Sequence, residues 1–269
     1  MKILVIDGCG RKGNTWKLTE YAMDVIRKEY PDTEFEELVL ADIDLPLCIG
    51  CSNCFRSGHD KCPHHKTVGN IISKIDNSDG VIVCSTTYNW SETGYIKNLF
   101  DHFCFMLHRP YFYKGKALVI TTAGGTGQKK AAKRISGTLS GIGFNRCYQI
   151  AVASVSWNAY EATDKDKKLA GKKALAFAKD VQSGKLHSPK IMNLIPYNIM
   201  RGMGMHYTAD SEFPTADGIW WTAPERCGKA YFPQVKISPF KRAIGNIFFF
   251  IGKKLCGSKK WLVTYRKAG

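Results

Sequence analysis

The chain of 269 residues is 44% hydrophobic and 23% charged, which is typical of a globular protein with one sizeable core and an extension, or with two small domains. It contains no run of eighteen apolar residues and no signal-peptide pattern, so we expect it to be cytoplasmic. Ten cysteines do not indicate a disulfide scaffold, because the chain is large, rich in core residues and shows no export signal.

The net charge of +16 is concentrated at the C-terminal end. Residues 236–269 contain nine Lys or Arg and no Asp or Glu. Such a basic tail would suit nucleic acid, anionic lipid, an acidic partner or a nucleotide phosphate, although its commonest role is solubility. No recognised nucleic-acid-binding module appears, so we expect no nucleic-acid partner.

The first eighteen residues predict a strand, a glycine turn and a helix in direct succession. KILVID is an apolar strand, and the apolar residues from Trp16 to Ile26 recur at helical spacing. The turn contains three glycines and two predicted cap residues, namely Gly8, Gly10, Gly13, Asn14 and Thr15. Because a helix N-terminus collects free N–H groups and the positive end of the helix dipole, this turn predicts a phosphate site.

Strands and helices then alternate up to about residue 185. The further predicted strands are 35–40, 80–85, 116–121 and 148–153, and the further predicted helices are 68–75, 95–107, 128–139 and 164–183. This alternation predicts an α/β fold with right-handed crossovers and a doubly wound parallel sheet of five strands. The strands fit the flavodoxin order 2-1-3-4-5.

Three unusual loops follow the first, third and fourth strands, at residues 8–15, 85–90 and 121–127. In doubly wound sheets, ligands bind beyond the carboxyl ends of the strands at the switch point, which is where these loops meet. Their agreement predicts one binding site. The alternative is structural, with Tyr88 and Trp90 as buried anchors and the two glycines at 124 and 125 as a plain turn.

Two familiar phosphate loops fit less well. The three glycines match G-x-G-x-x-G, but Lys28 stands near the place where a dinucleotide ribose needs an acidic residue. Asp32 and Glu34 lie close enough to keep this option open. A Walker loop is excluded because no Gly-Lys-Ser/Thr follows.

The turn resembles instead the G-S-x-R-x-x-G-N-T turn of the flavodoxin-like NAD(P)H-dependent FMN reductases, one residue shorter and with Cys9 in place of Ser. Residues 85–90 resemble the S-P-x-Y segment of that family, with Thr86 in place of proline. Lys97 and Asp101 match its lysine and aspartate on the next helix, and His102 replaces the arginine that often follows.

The resemblance covers residues 1–185 and implies that this domain binds FMN. The implied phosphate-binding residues are Gly8, Gly10, Arg11, Gly13, Asn14 and Thr15. The implied ring-positioning residues are Ser85, Thr86, Thr87, Tyr88, Asn89, Trp90, Thr122, Ala123, Gly124 and Gly125. The implied reaction is hydride transfer from NADH or NADPH to FMN and then to a second acceptor, with no side chain acting as acid or base. We also expect a homo-oligomer.

Four cysteines, Cys48, Cys51, Cys54 and Cys62, lie within fifteen residues after the second strand. This spacing resembles the compact motif of iron-sulfur flavoproteins, a branch of the same family, and so implies a 4Fe-4S cluster near FMN. Two alternatives stay open, which are thiols without metal, and zinc on the same sulfurs with His59, His64 or His65 as alternative ligands. The family's acidic pair is replaced by Lys66 and Thr67.

Residues 186–269 form a basic, aromatic-rich extension that we expect to pack on the main domain or on a partner subunit. Residues 244–251, with basic pairs on both sides, would suit an interfacial helix at a membrane surface, but this contact is the less favoured interpretation. Two other functions stay open: an electron carrier without its own substrate, and a binding or membrane-docking protein that has lost the cofactor.

Overall fold

The computed structural model describes residues 1–258 and 262–266. Its sheet has five parallel strands in the order β2-β1-β3-β4-β5, as predicted. The strands are β1 (Lys2–Asp7), β2 (Glu34–Val39), β3 (Gly80–Thr86), β4 (Lys116–Ala123) and β5 (Arg146–Ala153). The predicted flavodoxin-like doubly wound sheet is therefore confirmed.

Seven helices accompany the sheet. They are α1 (Asn14–Glu29), α2 (Asn53–Arg56), α3 (His65–Asp76), α4 (Gly94–His102), α5 (Phe105–His108), α6 (Gln128–Gly141) and α7 (Asp164–Ser183). The prediction of one helix over residues 95–107 is wrong. Two helices, α4 and α5, cover this stretch, and Phe103 and Cys104 between them belong to neither. Helix α7 has the predicted bounds and begins with a capping box of Thr163 and Asp166.

Each face of the sheet is covered by a separate layer of helices. Ile3 and Val5 point to α1 and α7, whereas Leu4 and Ile6 point to the layer that contains α3, α4 and α6. Since successive strand residues face opposite sides, a strand covered on both faces must be apolar throughout. This requirement explains why β1, β3 and β4 are almost entirely buried.

The extension adds α8 (Ile191–Gly204), α9 (Ala216–Thr222) and α10 (Pro239–Gly257) around a third small core. It packs on the main domain, with the rings of Tyr113 and Phe232 stacked at 4.5 Å. Among the described residues, no helix has both the length and the apolar content needed to cross a bilayer. Lys259, Lys260 and Lys267 of the basic tail lie outside the described residues.

Candidate flavin and iron-sulfur site

The turn after β1 leaves a helix N-terminus open. Gly13 precedes α1 without a side-chain cap, and the first turn of α1 carries no acidic residue. Within the described chain, the backbone N–H groups of Gly10, Arg11 and Lys12 have no protein acceptor. The guanidinium of Arg11 is exposed beside them. Free N–H groups, the positive end of a helix and a cation together suit a phosphate group.

Asn14 and Thr15 do not cap α1, so this sequence-based prediction is wrong. Asn14 Nδ2 instead donates to the Ser156 carbonyl at 2.9 Å and lies 3.4 Å from Ser154 Oγ. The side chain of Thr15 also turns away from its own helix. The physical consequence is that the N–H groups at the start of α1 stay available to an anion, because a capping side chain would occupy one of them.

Thr15 connects the three loops. Its Oγ1 lies 2.7 Å from Thr122 Oγ1 at the end of β4 and 3.2 Å from Thr86 Oγ1 at the end of β3. The N–H of Thr87 donates to the Thr122 carbonyl at 2.9 Å. Thr15 and Thr122 are buried. The prediction that the three loops converge at one edge of the sheet is confirmed, and a hydroxyl triad sets their spacing.

Gly8 fixes the first loop against α4. A Cβ atom at this position would lie 2.2 Å from Ile96 Cγ1, so no side chain fits without displacing the helix. The N–H of Gly8 donates to the Cys84 carbonyl at 2.9 Å, and its carbonyl accepts from Thr93 Oγ1 at 2.6 Å. Ser85 is fully buried and accepts from the Thr93 N–H at 3.1 Å, which holds the second loop in shape.

The second loop presents two aromatic rings to solvent. Tyr88 and Ser91 exchange backbone hydrogen bonds, which forms a tight turn with Asn89 and Trp90 in left-handed conformations at φ +48° and +60°. Tyr88 is 63% exposed and Trp90 is 56% exposed. The alternative in which these two rings are buried anchors is therefore wrong. The Tyr88 ring can contact a planar ligand, whereas the Trp90 ring packs on Gly127 and has Lys130 Nζ 5.2 Å from its centroid.

The third loop is joined by a fourth loop that the sequence analysis missed. Gly124 and Gly125 are exposed, and Trp157 lies so close that its Cδ1 would be 3.3 Å from a Cβ on Gly124. The Trp157 carbonyl accepts from Arg11 Nη2 at 3.5 Å. The only sequence signal for this loop is the polar run S-V-S-W-N after β5.

A cavity of about 430 Å³ opens between the first two loops and the chain that follows β2. Its wall includes Gly10, Leu45, Leu47, Tyr88, Tyr95 and Asn98. Asn98 Nδ2 donates to the Leu45 carbonyl at 2.9 Å, and its Oδ1 accepts from the Cys48 N–H at 3.3 Å. Asn98 is therefore a shared support of the cavity and the cysteine segment. The neighbouring Lys97 and Asp101 pair at 2.5 Å on the exposed side of α4.

The four predicted cysteines form one electrostatic neighbourhood. Cys48 is exposed, Cys51, Cys54 and Cys62 are half-buried, and the first three all influence the pKa of Cys62. Burial raises the pKa of the Cys62 thiol. Gly50 and Gly58, at φ +65° and +117°, supply the left-handed turns that wrap this segment. Since metal ligation needs thiolates, a group bound here would displace protons from these thiols.

The described ligand atoms of this segment are not gathered around one point. Tetrahedral zinc with bonds of about 2.3 Å would draw the sulfurs to roughly 3.8 Å from one another. Among the described residues, no three ligand atoms of this segment lie within 4.8 Å of one another. His64 Nδ1 is engaged at 2.9 Å with His102 Nε2, and the ring of His59 stacks on Phe105. Zinc on these sulfurs would therefore require the segment to rearrange.

A fifth cysteine and an arginine complete this neighbourhood. Cys104 hydrogen-bonds to Cys54, and this contact, followed by burial, raises the pKa of Cys54. The guanidinium of Arg109 donates to the Cys54 carbonyl and pairs with Asp217 of α9, with 2.9 Å between Nε and Oδ1. His108 Nδ1 lies 2.7 Å from the other carboxylate oxygen of Asp217. The cysteine segment is thus fixed to the C-terminal extension.

A second cluster of cysteine side chains lies beneath the turn that follows β1. Ligand atoms of Asp7, Cys9 and Cys84 are all buried and lie within 4.8 Å of one another. Asp7 Oδ1 accepts from the Cys9 N–H at 2.8 Å and from Cys84 Sγ at 3.3 Å. These hydrogen bonds hold the base of the turn and direct the side chain of Cys9 inward, away from the position of a phosphate.

Comparison with known proteins assigns the family. Residues 1–159, more than half of the chain, match the NADPH-dependent FMN reductase family. The chain belongs to that family. It is therefore an FMN-dependent NAD(P)H oxidoreductase, with FMN as cofactor and a nicotinamide nucleotide as co-substrate, as the resemblance implied. The electron-carrier alternative is not favoured.

Two relatives and one solved structure illustrate what the chain is similar to. It is 32% identical over 167 residues to an iron-sulfur flavoprotein of Clostridioides difficile (strain 630), covering 61% of this chain and 72% of that one. An iron-sulfur flavoprotein of Methanocaldococcus jannaschii is 38% identical over 102 residues, covering 38% of this chain and 51% of that one. The structure of an NADH:FMN oxidoreductase superposes with a TM-score of 0.50 at 21% identity, over 70% of this chain and 91% of that one, which supports the fold alone.

Proposed function

We propose that this reductase binds FMN across the three converging loops and carries a 4Fe-4S cluster on Cys48, Cys51, Cys54 and Cys62, so that electrons leave one at a time. The observation that supports this proposal most directly is the position of Asn98. It lines the cavity beside the loops and also holds the backbone of Cys48. The two sites are therefore adjacent, which short-range electron transfer requires.

The proposed FMN site assigns different tasks to different loops. The N–H groups of residues 10–12, the open start of α1 and the guanidinium of Arg11 hold the phosphate. Tyr88, Asn89 and Trp90 from the second loop and residues 122–125 from the third position the ring. FMN held by these residues would supply hydride and one-electron chemistry. Because Tyr88 and Trp90 are exposed, one side of the site stays open to the nicotinamide and then to an acceptor.

Two features of the segment suit the proposed cluster. The donors are four thiols, of which three are half-buried. The guanidinium of Arg109, which lies against Cys54, compensates negative charge at thiolate ligands. The names of the relatives, which are iron-sulfur flavoproteins, agree with this assignment.

We also propose that residues 1–185 form the FMN-binding domain and that residues 186–269 form an extension packed on it. Helix α7 ends with Gly184 in a left-handed conformation, and a separate apolar core begins with Leu194. The homo-oligomer and the cytoplasmic location stay predictions.

The test is anaerobic purification followed by absorption spectroscopy and by iron and sulfide assays. We expect flavin bands together with broad brown absorbance, and both iron and acid-labile sulfide. Cys51→Ala should lose the iron and the brown absorbance and keep the flavin bands. Cys227→Ala, at an exposed cysteine outside the segment, is the matched control and should keep all of them. Flavin without iron, or zinc in place of iron, in the wild-type protein would disprove the cluster but not the FMN site.

A further inference from the structure

Helix α10 has an apolar face that no described residue covers. Phe240 is 68% exposed, Ile247 58%, Phe250 65% and Ile251 41%. Residues three, four and seven apart lie on the same face of a helix, so these four side chains form one continuous stripe, about 16 Å long at 1.5 Å per residue. We call it the α10 stripe. A helix that is apolar on both its packed and its outer face is normally buried on both.

The α10 stripe cannot turn inward, because glycines fix the opposite face of α10 against α8. Gly252 packs so closely that a Cβ there would lie 2.3 Å from the Ile199 carbonyl oxygen. On α8, a Cβ at Gly202 would lie 2.1 Å from the Phe249 carbonyl oxygen. Any rotation of α10 would replace these glycines with larger side chains. The outward direction of the stripe is therefore built into the helix pair.

Basic residues accompany the stripe. Arg242, Lys253 and Lys254 are exposed on α10, and residues 236–269 contain no Asp or Glu. Exposed phenylalanine and isoleucine together with lysine and arginine on one helix are the composition of helices that lie at the surface of an anionic bilayer.

We propose that the α10 stripe docks on an anionic lipid surface, with its apolar side chains at the acyl boundary and its basic residues at the headgroups. Charge complementarity favours this occupant over a second copy of the chain. Two copies that met through α10 would bring like-charged basic residues together, which is unfavourable at short range. The shape agrees, because the stripe is a ridge along one helix and suits a flat surface better than a closed groove.

The test is co-sedimentation of the full-length, FMN-loaded protein with vesicles. We expect binding to mixed phosphatidylcholine and phosphatidylglycerol vesicles, much weaker binding to pure phosphatidylcholine, and weaker binding at high salt. The double variant Ile247→Asn/Phe250→Asn should lower the affinity at least about tenfold, since it removes apolar area that enters the bilayer. Arg242→Glu/Lys253→Glu/Lys254→Glu should remove the preference for anionic vesicles, because each basic residue contributes about fivefold.

Two matched controls separate the stripe from general effects. Ile219→Asn changes an exposed isoleucine on α9, and Lys167→Glu/Lys168→Glu/Lys172→Glu makes the same charge change on α7. Both should bind like the wild type. The charge-reversal variant on α10 alters only exposed side chains, and FMN content with far-UV circular dichroism checks the fold of every variant. The proposal is wrong if the wild type binds neither vesicle, binds both equally, or forms a dimer that the α10 variants abolish.

Discussion

The proposed flavin rim, formed by the loops at residues 8–15, 85–90 and 121–127 together with Trp157, and the cysteine segment lie side by side, but they are held in place in different ways. The rim consists of loops that continue directly from β1, β3 and β4, so the register of the sheet fixes where each loop begins. The Thr15, Thr86 and Thr122 hydroxyls then fix the loops to one another. The cysteine segment follows the edge strand β2. It is held by the side chains of Asn98 in α4 and of Arg109 directly after α5, and Arg109 pairs with Asp217 in α9.

This difference indicates which parts of the chain each site needs. All residues that form the rim, including Trp157, lie within the stretch that matches the family, residues 1–159. The support of the cysteine segment extends to Asp217, far outside that stretch. We therefore expect damage to the extension to affect the cysteine segment and to leave the flavin rim intact.

The largest effect is expected from Arg109→Met, which keeps an unbranched apolar stem and removes the guanidinium with its charge and hydrogen-bond donors. The change leaves Asp217, whose side chain is only 15% exposed, without its main partner. Removing one member of a buried ion pair typically costs 3–5 kcal/mol, and we expect about 3 kcal/mol here because His108 remains beside the carboxylate. Urea unfolding measures the loss, and the iron content of the purified protein should fall while its FMN content stays.

Arg27→Met is the matched control, because Arg27 pairs with Asp24 at 2.9 Å on an exposed part of α1. Surface pairs contribute about 0–1 kcal/mol, so this variant should unfold almost like the wild type. If the two variants lose similar stability, or if Arg109→Met loses FMN and iron equally, the two regions are not independently supported.

A smaller effect, on FMN binding and not on iron content, is expected from Thr15→Val. The substitution keeps the shape of the side chain and removes the buried hydroxyl that lies near both Thr86 and Thr122. Leaving buried polar groups without a partner costs about 1–3 kcal/mol. We expect that loss in urea unfolding together with weaker FMN binding in fluorescence titration, and unchanged iron content. Thr264→Val, at an exposed threonine outside the rim, should change neither quantity.

The sequence predicted the sheet well because each strand carries its own signal. The apolar runs of β1, β3 and β4 report burial on both faces, and the caps of α7 mark its ends. The convergence of the loops followed from topology, since parallel strands bring their carboxyl ends to the same edge. The strands and α7 thus depend on residues that are close in sequence, and the convergence depends on the order in which the strands occur along the chain.

The parts that the sequence did not predict are contacts between distant residues. Arg109 and Asp217 are 108 positions apart, and Cys104, between α4 and α5, lies 50 positions from its partner Cys54 in α2. Neither contact produces a pattern in the nearby sequence, because an isolated arginine or cysteine occurs in many structural environments. The predicted cap at Asn14 was wrong for a related reason, since a partner 142 positions away at Ser156 replaced the local hydrogen bond.

The smallest effect is expected from Trp157→Ala and concerns only the ligand. Trp157 is 90% exposed, so its removal should change the free energy of unfolding by no more than about 0.5 kcal/mol. Its ring lies against Gly124 of the third loop, where an aromatic contact with FMN would contribute about 0.5–1.5 kcal/mol. We therefore expect FMN to bind several-fold more weakly in fluorescence titration, at unchanged stability and iron content. Val155→Ala, in the same loop and 84% exposed, is the control. Equal FMN affinity in both variants would exclude Trp157 from the rim and limit the site to the three loops that the sequence predicted.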